Sequence, residues 1–163
     1  MFRQSSSLAI QIGLPFASMD AERKEFLNNR LLEAISKQPE LDDLKSLLFG
    51  FGGEFLVAPW RPDNDIPALL QRGFLTFGPV RMHVMNRSSC HQNVAAVWQK
   101  REHGIVAIAT GYALSEDGLW RQHSWGILRD AILETTEKRC KYFGIVLQGK
   151  SADNFAAANP PAE

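Results

Sequence analysis

Cys90 stands in the stretch Ser88-Ser89-Cys90-His91-Gln92-Asn93, and the stretches Arg121-Gln122-His123-Ser124-Trp125 and Leu133-Glu134-Thr135-Thr136 come after it. A thiol, an imidazole and a carboxylate in that order suit one chemistry. The imidazole ionises the thiol, the acid orients the imidazole, and the resulting thiolate attacks an acyl carbon. For that, the three side chains must arrive from different elements. Ser88 or Ser89 is expected to cap a helix with Cys90 in its first turn, where unpaired backbone N–H groups and the helix dipole favour a thiolate. The same amides can receive the oxyanion of a tetrahedral intermediate. His91 is expected to serve poorly as the base, because successive helical side chains diverge by about 100°. His123, on a separate strand, can approach the thiol across a cleft. It shares a strand face with Arg121, Trp125 and Ile127.

The place of the acid comes from register. If residues 119–128 and 131–136 form a hairpin closed by Arg129-Asp130, Trp125 lies opposite Glu134 and His123 opposite Thr136. Glu134 is then diagonal to His123 on one face, about 7–8 Å away between backbone positions, a gap long side chains can span. There it can accept the imidazole N–H and fix its tautomer. A loop one residue longer or shorter would turn Glu134 to the other face.

Each residue also has a plainer reading. Cys90 can be a small buried apolar side chain or a metal ligand. His123 can be a strand histidine satisfied by a carbonyl, and Glu134 a solvated strand carboxylate. Zinc-type pairing is not evident: Cys90 and His91 are adjacent, and His83, His103 and His123 follow no ligand spacing, so no metal and no cofactor is expected. Cys140 lies among Lys138, Arg139 and Lys141, which could lower its pKa, but no histidine or acid accompanies it in a motif. It is read as incidental, with a Cys90–Cys140 bridge as the alternative. Trp98, Trp120 and Trp125 are read as core or cleft wall.

The elements that must position these groups are legible in outline. Asp20 caps a helix to about Lys37 with Phe26, Leu27, Leu31, Leu32 and Ile35 as its apolar stripe. A second helix runs from Glu40 to Leu48, and Gly50-Phe51-Gly52-Gly53 is a turn without the spacing of a phosphate loop. Phe55 to Ala58 is a short strand and Ile66 to Gln71 a brief helix. Val80 to Met85, Ile105 to Tyr112, Leu119 to Leu128, Ala131 to Thr136 and Tyr142 to Leu147 read as strands, with a glycine turn at Ser115-Glu116-Asp117-Gly118. The fold class is α+β, helices first and then an antiparallel meander packed against the helix that begins at Cys90. The chain reads as one domain over residues 1–150, with a mainly helical half at 1–75 and a catalytic-type core at 76–150. Residues 151–163 read as a disordered tail.

Composition narrows the function. With 163 residues, 45% apolar and 22% charged, and eighteen basic residues balancing eighteen acidic ones, the chain offers no electrostatic footprint for nucleic acid or a membrane surface. No apolar run approaches the roughly 20 residues of a membrane span. Leu8 to Ala17 faintly resembles a signal-peptide core, but Gln11, Gly13 and Pro15 interrupt it. The expected location is cytoplasmic, with export lacking a cleavable signal as the alternative.

In order and spacing, these residues resemble the core shared by papain-like peptidases, transglutaminases and arylamine N-acetyltransferases. His123-Ser124-Trp125 followed by Glu134-Thr135-Thr136 is similar to the transglutaminase-type His-Ala-Trp … Asp-Pro-Thr pattern. The resemblance covers about residues 86–148. The acid here is Glu rather than Asp, no proline follows it, and His91 replaces the usual aromatic beside the cysteine. The resemblance implies a papain-like core and a thiol-dependent hydrolase or acyltransferase. Cys90 would attack an amide, isopeptide or thioester, His123 would shuttle the proton, and Glu134 would orient His123. Asn86, Ser89 and Trp125 are the candidates for oxyanion and substrate binding. The partner would be a peptide, a protein or an acyl conjugate. The rival expectation is a non-catalytic peptide-binding module on the same fold. Either could serve as a secreted effector with a neutralising protein partner.

Overall fold

Asp20 ends the extended backbone and begins the first helix, its Oδ1 accepting the Arg23 amide at 2.8 Å. In the computed structural model, which describes residues 19–161, this helix α1 spans Ala21–Lys37. Leu31 is buried and Ala34 and Ile35 pack beside it, the row that meets the rest of the protein, with half-buried Leu27 one turn earlier. Phe26 and Leu32 were expected on the same stripe but lie on its two flanks, 59% and 56% exposed, because each stands roughly a hundred degrees from the contact row. Helix α2 (Glu40–Gly50) buries Leu41, Leu44 and Leu48. The glycines after it take positive φ at Gly52 and Gly53. A Cβ on Gly53 would come within 2.7 Å of the Trp120 indole, whose Nε1 donates to the Gly52 carbonyl at 2.8 Å. Strand β1 (Phe55–Leu56) and helix α3 (Ile66–Arg72) complete this half.

The second half holds β2 (Phe74–Thr76), β3 (Val80–Met82), α4 (Cys90–Lys100), β4 (Ala107–Leu114), β5 (Leu119–Ile127), β6 (Ile132–Glu134), β7 (Lys141–Leu147) and α5 (Lys150–Ala158). The seven strands form one curled, mostly antiparallel sheet in the order β2-β7-β4-β5-β6-β3, with β1 added in parallel to β5. A simple meander was expected. Instead β7 crosses to the far side of β4, and β3 joins β6 in parallel. The short edge strand β2 carries no alternation long enough to be read from sequence.

Alternate residues of β4 and β5 divide the core. Tyr112, Leu114 and Trp120 face α1 to α3, while Ile108 packs with α4 and α5. Ala109, Ala113, Trp125, Ile132 and Tyr142 fill the inside of the curl. Residues 150–158 correct the expectation of a disordered tail. Ala152 and Ala156, four apart, present a flat apolar stripe and are buried with α4. Trp98 Nε1 donates to Asp153 Oδ1 at 2.8 Å across that contact. Alanine is the strongest helix former, and a composition rich in it counts as low complexity only until a partner face is available. The signal-like segment Leu8 to Ala17 lies outside the described residues. Among those described, no helix is long and apolar enough to cross a membrane.

Candidate active site

The middle of β5 has a strand neighbour on one side only. Its start pairs with β1 at Leu119 and Trp120, and its end pairs with β6 at Gly126 and Ile127. Between them, residues 121–125 pair only with β4 among the described residues. The first turn of α4 occupies this opening, so Cys90 and His91 meet the two faces of one strand. Cys90 reaches His123, and the His91 Nδ1 lies 2.6 Å from Ser124 Oγ on the opposite face.

The hairpin register is the one a two-residue loop demands. The Leu128 amide donates to the Ala131 carbonyl at 2.9 Å, and Gly126 stands opposite Leu133. Glu134 therefore shares a face with His123. The His123 Nε2–H donates to Glu134 Oε2 at 2.8 Å, with both side chains buried. The other ring nitrogen, Nδ1, is left to face the thiol.

Glu134 is fully buried and accepts five hydrogen bonds. Oε2 takes His123 and the Tyr142 hydroxyl at 3.1 Å. Oε1 takes the Thr135 amide, the Thr136 amide and the Thr136 hydroxyl at 2.9, 2.9 and 3.0 Å. Such a site stabilises the ionised form. Burial pushes the carboxyl up, but His123 and Thr136 outweigh it and hold it below the ordinary carboxylate range. Two of its donors are the amides of its own chain immediately downstream. In a continued ladder at this register Thr135 would donate to Ser124 on β5. The carboxylate takes that proton instead, and β6 ends at Glu134.

The thiol is half-buried. Burial alone would raise its pKa. Hydrogen bonds and charge from His123, then His91, overcome this and lower it from 9.0 to about 5. For His123, burial works downward, but the thiol and Glu134 raise the imidazole from 6.5 to about 9. Between those limits the pair is a thiolate and an imidazolium. The Cys90 Sγ also lies 3.7 Å from His91 Nδ1, so the expectation that His91 turns away fails. Ser88 adopts a left-handed φ of 58° just before the helix, and Ser124, in turn bonded to Thr110 Oγ1 at 2.9 Å, anchors the imidazole near the sulfur. Cys140, exposed and free, behaves oppositely to the expectation from its basic neighbours. Partial burial, Glu116 and Asp117 raise its pKa.

Cys90 and His123 open on a cleft of about 730 Å³ that is also lined by Gln122 and Thr136. The three residues suggested for oxyanion and substrate binding lie elsewhere. Asn86 and Ser89 border a separate small recess with Gln92 and Asn93, and the Asn86 carbonyl accepts from Asn93 Nδ2 at 2.8 Å. Ser89 occupies the N-cap position, but neither its hydroxyl nor that of Ser88 caps the helix. The Ser89 Oγ turns back to the Arg87 carbonyl at 3.4 Å. The first-turn amides of α4 are thus not claimed by a side-chain cap. Trp125 is fully buried behind His123, rings 6.0 Å apart and nearly parallel, so it packs against the imidazole and does not line the cleft. Sequence reasoning missed Tyr142 and Gln122. Tyr142 reaches the site only after β7 crosses over, which no local spacing reveals. Gln122 adjoins His123, and alternation along β5 assigns it to the other strand face. No group of three or more metal-ligating side chains is present among the described residues. Compared with protein-family models, curated proteins and solved structures, the chain matches none.

Proposed function

We propose that the chain is a cysteine-nucleophile hydrolase or acyltransferase acting on an amide, isopeptide or thioester. The observation that carries this reading is the buried 2.8 Å contact from His123 Nε2 to Glu134 Oε2, behind a thiol that opens on the cleft. A structural ion pair has no need of a thiol on its outer nitrogen, nor of a hollow in front of it.

In this reaction the Cys90 thiolate attacks the acyl carbon and forms a C–S bond, and the carbonyl electrons move to oxygen. The first-turn amides of α4 and the Gln122 amide are the available donors for that oxyanion. His123 passes its Nδ1 proton to the leaving nitrogen, oxygen or sulfur as that bond breaks, leaving a thioester. Water or an amine then attacks the thioester while His123 takes its proton, and the thiolate departs. Glu134 keeps its charge throughout and stabilises the imidazolium.

The test is the pH dependence of iodoacetamide labelling at Cys90, with Cys140 as internal control, read by peptide mass spectrometry. Cys90 should label at a rate that levels off well below the free-thiol range, with its midpoint near the value of about 5, and His123→Ala should move that midpoint upward. An ordinary thiol titration at Cys90 would sink the reading. In a substrate assay, Cys90→Ala should retain the fold and lose turnover.

A further inference from the structure

The cleft beside Cys90 and His123 is lined by three arginines, Arg87, Arg121 and Arg139, against one acid, Glu137. They come from separate segments: the turn before α4, β5, and the loop between β6 and β7. Exposed arginines alone would be a solvated surface. Arg139 is different, because its side chain is only 9% exposed. Its Nη1 is fixed by Ser115 Oγ at 2.5 Å and by Glu137 Oε1 at 2.9 Å, and its backbone amide donates to the Tyr142 hydroxyl at 3.0 Å. Its Nε is buried with no hydrogen-bond partner among the described residues. That donor is closed off from the cleft, but Arg139 still lines it, and a guanidinium held rigid at a cleft wall is preorganised for an acceptor that reaches its remaining exposed edge. Arg121 is held in place by Asp117 through two contacts of 3.0 and 2.6 Å. Arg87 is exposed and has no ion pair among the described residues.

We propose that the cleft takes substrates whose acyl or leaving portion carries a carboxylate, seated against Arg139 and Arg87. This rests on Cys90 being the nucleophile and names the substrate class of that same site. The charge arrangement gives it a physical purpose. A thiolate disfavours an anionic substrate. Arginines flanking the thiolate offset that repulsion, and a planar guanidinium fits the two oxygens of a carboxylate where a lysine would offer only a point charge. Glu137, 70% exposed, is solvated and yields Arg139 to a competing carboxylate at little cost.

Iodoacetate and iodoacetamide test this directly, since they differ by one carboxylate and each forms the same C–S bond with iodide leaving. Second-order rates at Cys90 in the intact chain at neutral pH give a ratio to set against that of a small free thiol. The expected ratio favours iodoacetate by roughly tenfold relative to the free thiol, and molar salt removes most of that preference. Arg87→Gln, at an exposed position where folding is not at stake, should cut the preference severalfold, and Arg139→Gln should cut it further. Fast iodoacetamide labelling with a ratio equal to the free thiol's would overturn the carboxylate proposal and leave the nucleophile standing. Slow labelling by both reagents would overturn the nucleophile and this proposal with it.

Discussion

Replacing Glu134 with glutamine removes a charge from the buried network while keeping its shape, and the hydrogen bonds dictate how the network must rearrange. Oε1 accepts three donors, two of them backbone amides, so the glutamine oxygen must stay there. Its amide nitrogen then takes the place of Oε2, facing the His123 Nε2 and the Tyr142 hydroxyl. That nitrogen can only donate. His123 must accept at Nε2, which moves its remaining proton to Nδ1 and leaves no lone pair to receive the thiol proton. The lost bond is charge-assisted and contributes about 1.5–3 kcal/mol. At 1.36 kcal/mol per pH unit, the imidazole basicity should fall by about one to two pH units, and the thiol midpoint should rise from about 5 by a similar amount. Turnover, which needs the correct tautomer as well, should fall by about two to four orders of magnitude. The assay is iodoacetamide labelling of Cys90 across pH, with urea unfolding to verify that the variant folds. A folded Glu134→Gln protein whose Cys90 midpoint equals that of the parent would refute the coupling of carboxylate to thiol.

Stability should respond to pH through the same groups, in opposite senses. The Glu134 pKa is lowered from 4.5 on folding, so its contribution is present above 4.5 and is lost as pH falls through the folded-state value. His123, raised from 6.5 to about 9, contributes fully below 6.5 and ceases to as pH rises through 9. Urea midpoints measured over both limbs should show Glu134→Gln flattening the acid one. Gly144→Ala would place a Cβ 2.6 Å from the Thr110 carbonyl and 2.7 Å from the Trp125 ring. It should cost about 1–3 kcal/mol in thermal unfolding and, by displacing the ring behind His123, slow Cys90 labelling. Asp153→Ala leaves the Trp98 indole N–H without its acceptor and should cost about 1–2 kcal/mol. The Cys90 labelling profile should not change, which separates the α5 anchor from the site. If Cys90 turns over a substrate, its activity profile should show limbs near 5 and 9, where the thiol and the imidazole titrate.

The part of the site that a two-residue loop controls was legible from the chain. Side-chain parity propagates rigidly along paired strands, so Arg129-Asp130 alone sets Glu134 on the His123 face. Features that depend on tertiary contact were not legible. The direction of His91 is set by a left-handed Ser88 and by the Ser124 hydroxyl on a distant strand. Tyr142 joins Glu134 through a crossover of β7 that no spacing encodes. Ser89 had the right residue type for a cap, yet its backbone turns the hydroxyl away. In α5, small residues rather than large ones form the buried stripe, so a hydropathy pattern undervalues it. Asn86, a candidate through the resemblance alone, borders the recess beside the first turn of α4 and not the cleft.

The short length of β6 bears on how such a site could be lost. The carboxylate of Glu134 captures the Thr135 amide, which would otherwise extend the ladder to β5, together with the Thr136 amide beyond it, and it is along the unextended stretch of β5 that the thiol enters. An apolar β-branched residue at 134 would free the Thr135 amide to pair with β5, one further rung that leaves Cys90 less room, while His123, Tyr142 and the Thr136 hydroxyl lose their buried acceptor. Decay of this centre by that route would leave a protein that is sealed yet easier to melt, because the buried donors it orphans outnumber the rung it gains. Inactivity at position 134 would then arrive together with a lowered melting temperature, so one carboxylate both ends the strand and holds the doorway beside it open.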